Sequence, residues 1–349
     1  MRVVQAEDEI AAIGMVLGAS WAGARAMTTT SGPGLSLMTE FTGYAYYAEI
    51  PAVIWDIQRI GPSTGLPTRT SQADLLSVGV PLARRHEARD ALPRHRARTA
   101  TSSGCEAFDL AERLQTPVFV MSDLDLGSER RGCPTRSAIP KSRGTGARSS
   151  NAADPDDGSG RSSGTRTSTA TRFPTVTLPG TAAPAGGLLH ARLRPRRAGA
   201  DTPRRPRPTR VSWTGSGASG RPRGSSCRHR SWTQARGAEV GTIAFGSTHH
   251  AMGEARDPLA RRALATSYLL VKAYPVLEGG AAGFVETHER IYVVEQNRDA
   301  QMAVSSQDGV SPIWRRASRS ILQYDGLPID AQSVIDGLRS GERMEVVAR

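Results

Sequence analysis

The sequence predicts an α/β protein, in which a doubly wound parallel sheet is followed by a smaller α/β domain. Three observations support this prediction. Strand-like and helix-like segments alternate over the first 82 residues. One segment, IPAVIWDIQR, is a nearly continuous apolar run, which is typical of a buried strand in a parallel sheet. Strand-like segments return from about Val240 onward, separated by helical ones.

The first elements follow from charge and apolar spacing. Val3 and Val4 are predicted to close a short strand. Glu7, Asp8 and Glu9 come next, where the partial positive charge of a helix N-terminus favours acidic side chains. The apolar residues that recur at helical spacing after them are Ile10, Ile13, Leu17 and Trp21.

The following segments continue the alternation. ARAMTTT is predicted to be a strand, Gly-Pro-Gly at residues 32–34 a turn, and Leu35 to Glu49 a second helix. The buried strand IPAVIWDIQR comes directly after them. Further on, the segment that begins at Cys105, CEAFDLAERLQTPVFVMSDLDLG, predicts a helix followed by a strand. In the last part, VGTIAFGS, TSYLLVKAYP and RIYVVEQN are predicted strands.

The positive charge of the chain is confined to one stretch. The net charge is +12 over 349 residues. Residues 131–240 contain 21 Lys and Arg against five Asp and Glu, and the rest of the chain has a balance of −4. Residues 83–104 and 128–237 also lack apolar periodicity, and the second stretch is rich in Arg, Gly, Ser, Thr and Pro. Taken alone, this composition is typical of a disordered linker or an RNA-binding tail.

Cysteine usage and hydropathy indicate the compartment. The three cysteines lie far apart, without the spacing of a zinc or iron–sulfur site. No window approaches the roughly 20 apolar residues of a membrane span, and the MRVVQAEDE start lacks the apolar segment of a signal peptide. We therefore expect a cytoplasmic protein that is not associated with a membrane.

The Gly-Pro-Gly segment is the first candidate for a functional site. A glycine-rich entry to a helix leaves backbone N–H groups free and lets another molecule approach the main chain closely. With the acidic cluster of residues 7–9 and the GASWAGARA segment, the TSGPG motif resembles the pyrimidine-binding domain of thiamine-diphosphate enzymes. Residues 3–82, 105–127 and 240–335 as a whole resemble the α subunit of 2-oxoacid:ferredoxin oxidoreductases, of the 2-oxoglutarate type.

The resemblance assigns roles to individual residues. Glu9, with Glu7 as the fallback, corresponds to the family glutamate that hydrogen-bonds the cofactor's aminopyrimidine. Arg59 corresponds to the arginine that meets the substrate carboxylate, a task that suits a guanidinium because it can form two parallel hydrogen bonds. The expected backbone contacts near the cofactor are Ser31, Gly32 and Gly34. The expected residues of a substrate loop at the entrance are Ser63, Thr64 and Thr68.

The resemblance also implies a reaction and partners. The family carries out oxidative decarboxylation of a 2-oxoacid to an acyl-CoA, with 2-oxoglutarate favoured here, and passes the electrons to ferredoxin. Thiamine diphosphate is shared with a β subunit, which holds Mg²⁺ and a [4Fe-4S] cluster, so no metal is expected on this chain. Coenzyme A is the co-substrate. The C-terminal part is expected to have the α/β fold of a transketolase C-terminal domain.

Two other groups of residues were considered as sites. His249 and His250 could form a metal or base pair, but they are predicted to lie in a strand-to-helix loop away from the motif, where a surface role is favoured. The SDLDLG segment at 122–127 could ligate magnesium. Since the resemblance places the metal on the β subunit, a structural role is favoured for this segment as well.

The resemblance predicts a different origin for the basic stretch. Codons can be chosen for TSTATRFPTV, residues 167–176, so that an adjacent reading frame encodes DVDGDAIPYR. This peptide resembles the sequence that the family has directly before its TLPGT motif. TLPGT follows in frame at 177–181. The segments at 99–103, 187–196 and 200–206 can likewise encode family-like sequence in an adjacent reading frame. We therefore expect residues 128–237, and a scrambled stretch near 83–104, to be read out of frame and 128–237 to be disordered. Ordered domains are expected at 1–127, the partial pyrimidine-binding domain, and at 238–349.

The sequence leaves alternatives to an α subunit open. A stand-alone thiamine-dependent decarboxylase would need a Gly-Asp-Gly segment with a downstream Asn, which is not found. A basic nucleic-acid-binding protein would show salt-sensitive binding through residues 128–237, but these lack interleaved aromatic residues. The third alternative is a non-functional, frame-shifted fragment. The family normally precedes VQAEDE with a Tyr-Pro substrate loop, so the first strands and this loop are expected to be missing.

Overall fold

The computed structural model of the chain describes residues 2–62, 64–79, 89–91, 97–128, 148–149, 165–167, 174–176, 230–235, 237–274, 282–307 and 318–348. The strands are β1 (Met27–Thr30), β2 (Ala52–Gln58), β3 (Arg89–Ala91), β4 (Pro117–Asp123), β5 (Arg148–Ser149), β6 (Thr165–Thr167), β7 (Pro174–Val176), β8 (Arg230–Thr233), β9 (Val240–Ala244), β10 (Thr266–Val271), β11 (Ala273–Tyr274), β12 (Arg290–Glu295) and β13 (Ser318–Leu322).

The helices alternate with these strands. They are α1 (Glu9–Trp21), α2 (Gly32–Leu37), α3 (Thr39–Tyr47), α4 (Leu75–Gly79), α5 (Ala97–Leu114), α6 (Leu124–Ser128), α7 (Thr248–Arg261), α8 (Ala282–Glu286), α9 (Gln301–Gln307) and α10 (Ala331–Ala348). Within the described ranges, none of them combines the length and the apolar character that a membrane crossing requires.

Two five-stranded sheets organise the fold. The first has the order β1-β2-β4-β3-β11, and its first four strands are parallel. The second has the order β13-β12-β9-β10-β8, and its first four strands are likewise parallel. The short strands β5, β6 and β7 form a separate small sheet. Mostly parallel sheets joined by helices confirm the α/β prediction for both parts of the chain.

Strand β2 shows why the first sheet is doubly wound. Ile54 is fully buried in a cluster that includes Ile13 and Leu17 of α1. Val53 points the other way and packs with Ala107 of α5. Because both faces are covered by helices, five of the seven residues of β2 are apolar, and each fully enclosed Ile or Val contributes about 1.5–3 kcal/mol relative to exposure.

The core is continuous between the two sheets. The cluster that contains Ile13 and Ile54 extends to Ile243 of β9 and Phe284 of α8. A second cluster lies on the other side of β9, where α7 and α10 cover the sheet. The two sheets are therefore held together by apolar packing as well as by the polar contacts described below.

The start of the chain differs from the prediction. Val3 and Val4 do not form a strand and are 85% and 71% exposed. In the described part of the chain, β1 lies at the edge of its sheet and pairs only with β2. Without a neighbouring strand to pair with, two apolar residues do not stabilise a strand.

The Gly-Pro-Gly segment is not a turn but the first turn of α2. Pro33 lies in the first helical turn, where its missing N–H costs no hydrogen bond. The predicted long helix is also divided in two at Met38. There, the Thr39 hydroxyl donates to the Ser36 carbonyl at 2.7 Å, a side-chain bond that competes with the helical backbone pattern.

Three further predictions are corrected by the structure. Helix α5 begins at Ala97, eight residues before the predicted start, and so extends into the stretch 83–104. The predicted strand TSYLLVKAYP is two strands, since β10 belongs to the second sheet and β11 pairs with β3 in the first. His249 and His250 lie in the first turn of α7 rather than in a loop, and His249 Nδ1 is 3.0 Å from the buried Tyr268 hydroxyl.

The basic stretch 128–237 lies largely outside the described residues. Within it, β8 pairs antiparallel with β10 at the edge of the second sheet. Half of residues 83–104 also lies outside the described part, which includes β3 and the first residues of α5.

Candidate functional site

The N-terminus of α1 separates the three acidic residues by role. Asp8 is the N-cap, and its carboxylate accepts a hydrogen bond of 2.7 Å from the backbone N–H of Ala11. Glu7 is exposed, whereas Glu9 is half-buried in the first turn. The side chain that faces the rest of the site is therefore that of Glu9.

Gly34 lies directly against Glu9. A Cβ at this position would be 2.8 Å from Glu9 Cγ and 2.9 Å from Glu9 Oε1, and it would overlap Thr30 Oγ1. Since real Cβ atoms are not found so close to other atoms, only glycine fits here. The second glycine of the motif thus brings the α2 backbone next to the Glu9 carboxylate.

The start of the same motif contacts Arg59. The Arg59 Nε–H donates to Ser31 Oγ at 3.1 Å. The adjacent Gly32 lies against Asp74, because a Cβ on Gly32 would overlap the Asp74 carboxylate. Ser31 and Gly32 therefore lie beside the predicted substrate cation, while Gly34 lies beside the predicted cofactor acid.

Two carboxyl groups near Arg59 were not identified from the sequence. Asp56, on β2, is fully buried, and neither of its oxygens has a hydrogen-bond partner. Asp74 has one buried oxygen without a partner. The sequence could have indicated Asp56, because an ionisable residue within an apolar strand is rarely buried without a partner. Asp74 gave no such signal, because it comes after the strand in a polar segment.

Burial changes the proton affinity of both carboxyl groups. It is the main reason why the pKa of Asp56 is raised, and the neighbouring Asp74 carboxyl raises it further. Burial also raises the pKa of Asp74 to about 6, although the nearby positive charge of Arg59 acts in the opposite direction. Asp74 thus interacts both with the Asp56 carboxyl group and with the Arg59 guanidinium.

The predicted substrate loop begins immediately after Arg59. It is closed at its base by the bridge between Arg59 and Thr70 and by a hydrogen bond of 2.9 Å from the Ile60 N–H to the Arg69 carbonyl. Thr64 and Thr68 are exposed on this loop. Ser63, which was predicted with them, lies outside the described residues.

The C-terminal segment LQYDGLPI packs against this loop. Gly326 has a φ of +84°, a conformation that favours glycine, and a Cβ there would be 3.1 Å from both Arg69 Cβ and Ile60 Cδ1. The base of the loop is therefore supported by the second half of the chain.

A buried polar network joins the two sheets next to the site. Asp123, at the end of β4, is 1% exposed. Its Oδ2 accepts hydrogen bonds from Ser247 Oγ at 2.6 Å and from Gln72 Nε2 at 3.1 Å. Gln296, after β12, donates to Ser247 Oγ at 3.0 Å. These contacts give the acidic SDLDLG segment a structural role.

Residues 1–171 match the family described as "Pyruvate flavodoxin/ferredoxin oxidoreductase, thiamine diP-bdg". The 2-oxoglutarate synthase subunit KorA of Methanocaldococcus jannaschii is 46% identical over 127 residues, which are 36% of this chain and 34% of that protein. Subunit alpha of the 2-oxoacid:ferredoxin oxidoreductase 1 of Aeropyrum pernix is 48% identical over 121 residues, or 35% and 19% of the two chains.

A solved structure is similar over a longer range. The 2-oxoglutarate:ferredoxin oxidoreductase from Magnetococcus marinus, with 2-oxoglutarate, coenzyme A and succinyl-CoA bound, has a TM-score of 0.77 and 26% identity. The similarity covers 97% of this chain and 57% of that one. The alignment with the Methanocaldococcus subunit spans about a third of that relative's length.

Proposed function

We propose that this chain, whose residues 1–171 belong to the pyruvate flavodoxin/ferredoxin oxidoreductase family, is the α subunit of a 2-oxoacid:ferredoxin oxidoreductase that favours 2-oxoglutarate. The observation that carries the proposal is the double contact of the TSGPG segment. Gly34 lies against Glu9, and Ser31 accepts a hydrogen bond from Arg59. The residues proposed as the cofactor acid and the substrate cation thus contact either end of one short segment, which supports the proposal.

The residues present fit thiamine diphosphate. The bare backbone at Gly34 leaves no Cβ between α2 and the half-buried Glu9 carboxylate, so a flat ring could reach both. In this proposal Glu9 hydrogen-bonds the aminopyrimidine ring, and Glu7, which is exposed, does not. When bound, thiamine diphosphate would supply the electron sink for decarboxylation.

Arg59 is proposed to bind the substrate carboxylate. Its Nε–H is already held by Ser31, which fixes the plane of the guanidinium. One terminal nitrogen, NH1, is buried without a hydrogen-bond partner and is available to a carboxylate oxygen. Ser63, Thr64 and Thr68 are proposed to line the substrate entrance.

Partners complete the proposed reaction. A β subunit would hold Mg²⁺ and a [4Fe-4S] cluster, and coenzyme A would accept the acyl group. Carbon dioxide would be released, and the two electrons would pass one at a time to ferredoxin. We place the enzyme in the cytoplasm, a reducing compartment in which the free thiol of Cys105 would persist.

The proposal predicts a specific loss when Arg59 is changed. In the complex of this chain with its β subunit, Arg59→Gln is expected to raise the KM for 2-oxoglutarate by about 10- to 150-fold, the equivalent of one hydrogen bond to a charged group. Arg59→Lys should be intermediate, since it keeps the charge but loses the planar fork. CoA-dependent reduction of a viologen dye measures the rate.

The control is Arg339→Gln on the exposed side of α10, which should leave the kinetics unchanged. Pyruvate and a branched 2-oxoacid tested beside 2-oxoglutarate would identify the substrate. A folded complex that reduces the dye with none of the three 2-oxoacids would contradict the proposed function.

We also propose that residues 128–237, and a stretch near 83–104, are read out of frame, between ordered domains at 1–127 and 238–349. The DNA from the codon of residue 78 to that of residue 240 should be resequenced. We expect the corrected sequence to lack single-base insertions or deletions and to encode family-like sequence in frame. An unchanged DNA sequence would contradict a sequencing error and would indicate a decayed gene instead.

A further inference from the structure

Asp74 lies in the Arg59 site without being part of its assigned machinery. Its carboxylate is packed against the backbone of Gly32 at the start of α2. Its backbone N–H donates to Gln58 Oε1 at 3.2 Å, and Gln58 in turn donates to the Ser122 carbonyl at 3.0 Å. The position of Asp74 is therefore fixed from two strands, β2 and β4.

The contacts around Asp74 are incomplete in a particular way. Asp74 Oδ2 and Arg59 NH1 are both buried, and neither has a hydrogen-bond partner. The two groups nevertheless interact electrostatically, because the Arg59 charge stabilises the ionised form of Asp74. A buried acceptor and a buried donor that do not bond each other can each still take a partner, and the Arg59 donor can take a carboxylate oxygen.

Asp56 is a poor counter-ion for Arg59. It is fully enclosed, and no donor reaches either of its oxygens. In such surroundings a carboxyl group keeps its proton. Asp74 is consequently the acidic group that balances the Arg59 charge in the absence of substrate.

We infer that Asp74 is the resident counter-ion of Arg59, and that it takes up one proton when a 2-oxoacid carboxylate binds to Arg59. This inference rests on the proposed function of the site. The substrate carboxylate pairs with the Arg59 guanidinium in place of Asp74. An ionised Asp74 would then lie beside a second negative charge. When ionised, Asp74 competes with the substrate carboxylate for Arg59, whereas protonated Asp74 can donate a hydrogen bond. With this proton, the net charge of the site is the same before and after substrate binding.

The other charged groups around the pair do not provide this balance. Glu9 on α1 lies against Gly34, at the other end of the TSGPG segment, and Asp123 on β4 is already bonded to Ser247 and Gln72. Arg69 is exposed on the loop. Strand β1 and helices α2 and α4 contain no charged residue.

The direction of the pH effect follows from the Asp74 pKa of about 6. Below this pH, Asp74 is already protonated, and substrate binding takes up no proton. Above it, the fraction of Asp74 that is competent for binding falls about tenfold per pH unit, so the Kd for 2-oxoglutarate rises by the same factor. At pH 7.5 about one molecule in 30 carries the proton on Asp74 before binding.

Calorimetry on the complex of the full chain with its β subunit tests the inference. We expect 2-oxoglutarate binding at pH 7.5 to take up close to one proton, measured as the difference in heat between phosphate and Tris buffers. At pH 5 the uptake should be close to none, measured in two buffers that are effective at that pH. Asp74→Asn, which mimics the protonated form, should abolish the uptake and bind up to about 30-fold more tightly than the wild type at pH 7.5. At pH 5 the two proteins should bind alike.

Each other outcome counts against the inference. Binding without proton uptake at pH 7.5, or uptake that persists in Asp74→Asn, would overturn it and leave the proposed function standing. No binding by the wild type at any pH would overturn both. The exposed Asp336→Asn on α10 is the matched control and should behave as the wild type. If Asp74→Asn does not fold, a wild-type Kd that is flat between pH 6 and 8 overturns the inference, and a tenfold rise per pH unit supports it.

Discussion

Replacing Glu9 with glutamine is expected to slow 2-oxoglutarate-dependent dye reduction by the complex with the β subunit by about 10²- to 10⁴-fold, the usual range for losing a general acid–base group. The amide keeps the size of the side chain and its place beside Gly34 but cannot exchange a proton. Cofactor binding should be affected less than the rate, because most cofactor contacts are expected on the β subunit. Rates and thiamine diphosphate affinity are both measured.

Two companion variants locate the effect. Gly34→Ala should also lower the rate strongly, since its Cβ would be 2.8 Å from Glu9 Cγ and would displace that side chain. Glu254→Gln, an exposed change on α7, should leave the rate as it is. If Glu7→Gln were the damaging change and Glu9→Gln had little effect, the assignment of the cofactor contact would move to Glu7.

The second large effect concerns stability. Asp123→Ala is expected to lower the free energy of unfolding of the full chain by about 2–6 kcal/mol, because it leaves two buried donors without their acceptor at about 1–3 kcal/mol each. The variant leaves the Ser247 hydroxyl and the Gln72 amide enclosed without their acceptor. Urea denaturation followed by circular dichroism measures the change.

The position of Asp123 between the sheets adds a second readout. Hydrogen exchange should increase both in β4 and around Ser247, because one carboxylate holds the two together. Asp336→Ala, on the exposed side of α10, is the control and should change stability little. A loss below 1 kcal/mol for Asp123→Ala would mean that the network re-forms through Gln296 and Thr248, which already bond each other at 3.1 Å.

Local patterns were sufficient for most of the elements. The apolar runs IPAVIWDIQR, VGTIAFGS and RIYVVEQN contain β2, β9 and β12, since a strand buried on both faces must be apolar at nearly every position. The spacing of Ile13 and Leu17 likewise predicted α1 and its buried face. The motifs of the first 82 residues were enough to recognise the resemblance to the family that residues 1–171 match.

Where two local structures satisfy the same residues, the sequence did not choose between them. Gly-Pro-Gly is compatible with a turn and with a helix start, and packing of Gly34 against Glu9 selects the helix. TSYLLVKAYP has the composition of a single strand, yet β10 and β11 join different sheets. The choice depends on partners distant in the chain, which composition does not reveal.

The sequence by itself determined the α/β class, the parallel strands, the resemblance to the family that residues 1–171 match, and Glu9 and Arg59 as candidates. Each of these rests on local spacing or on short motifs. Only the tertiary structure decided which charged groups meet. Asp74 is 15 residues from Arg59 along the chain, and its contacts with Gly32 and Gln58 arise from the folding of three segments onto one another. Burial and unfilled hydrogen bonds are properties of that packing, since they depend on what surrounds an atom in space.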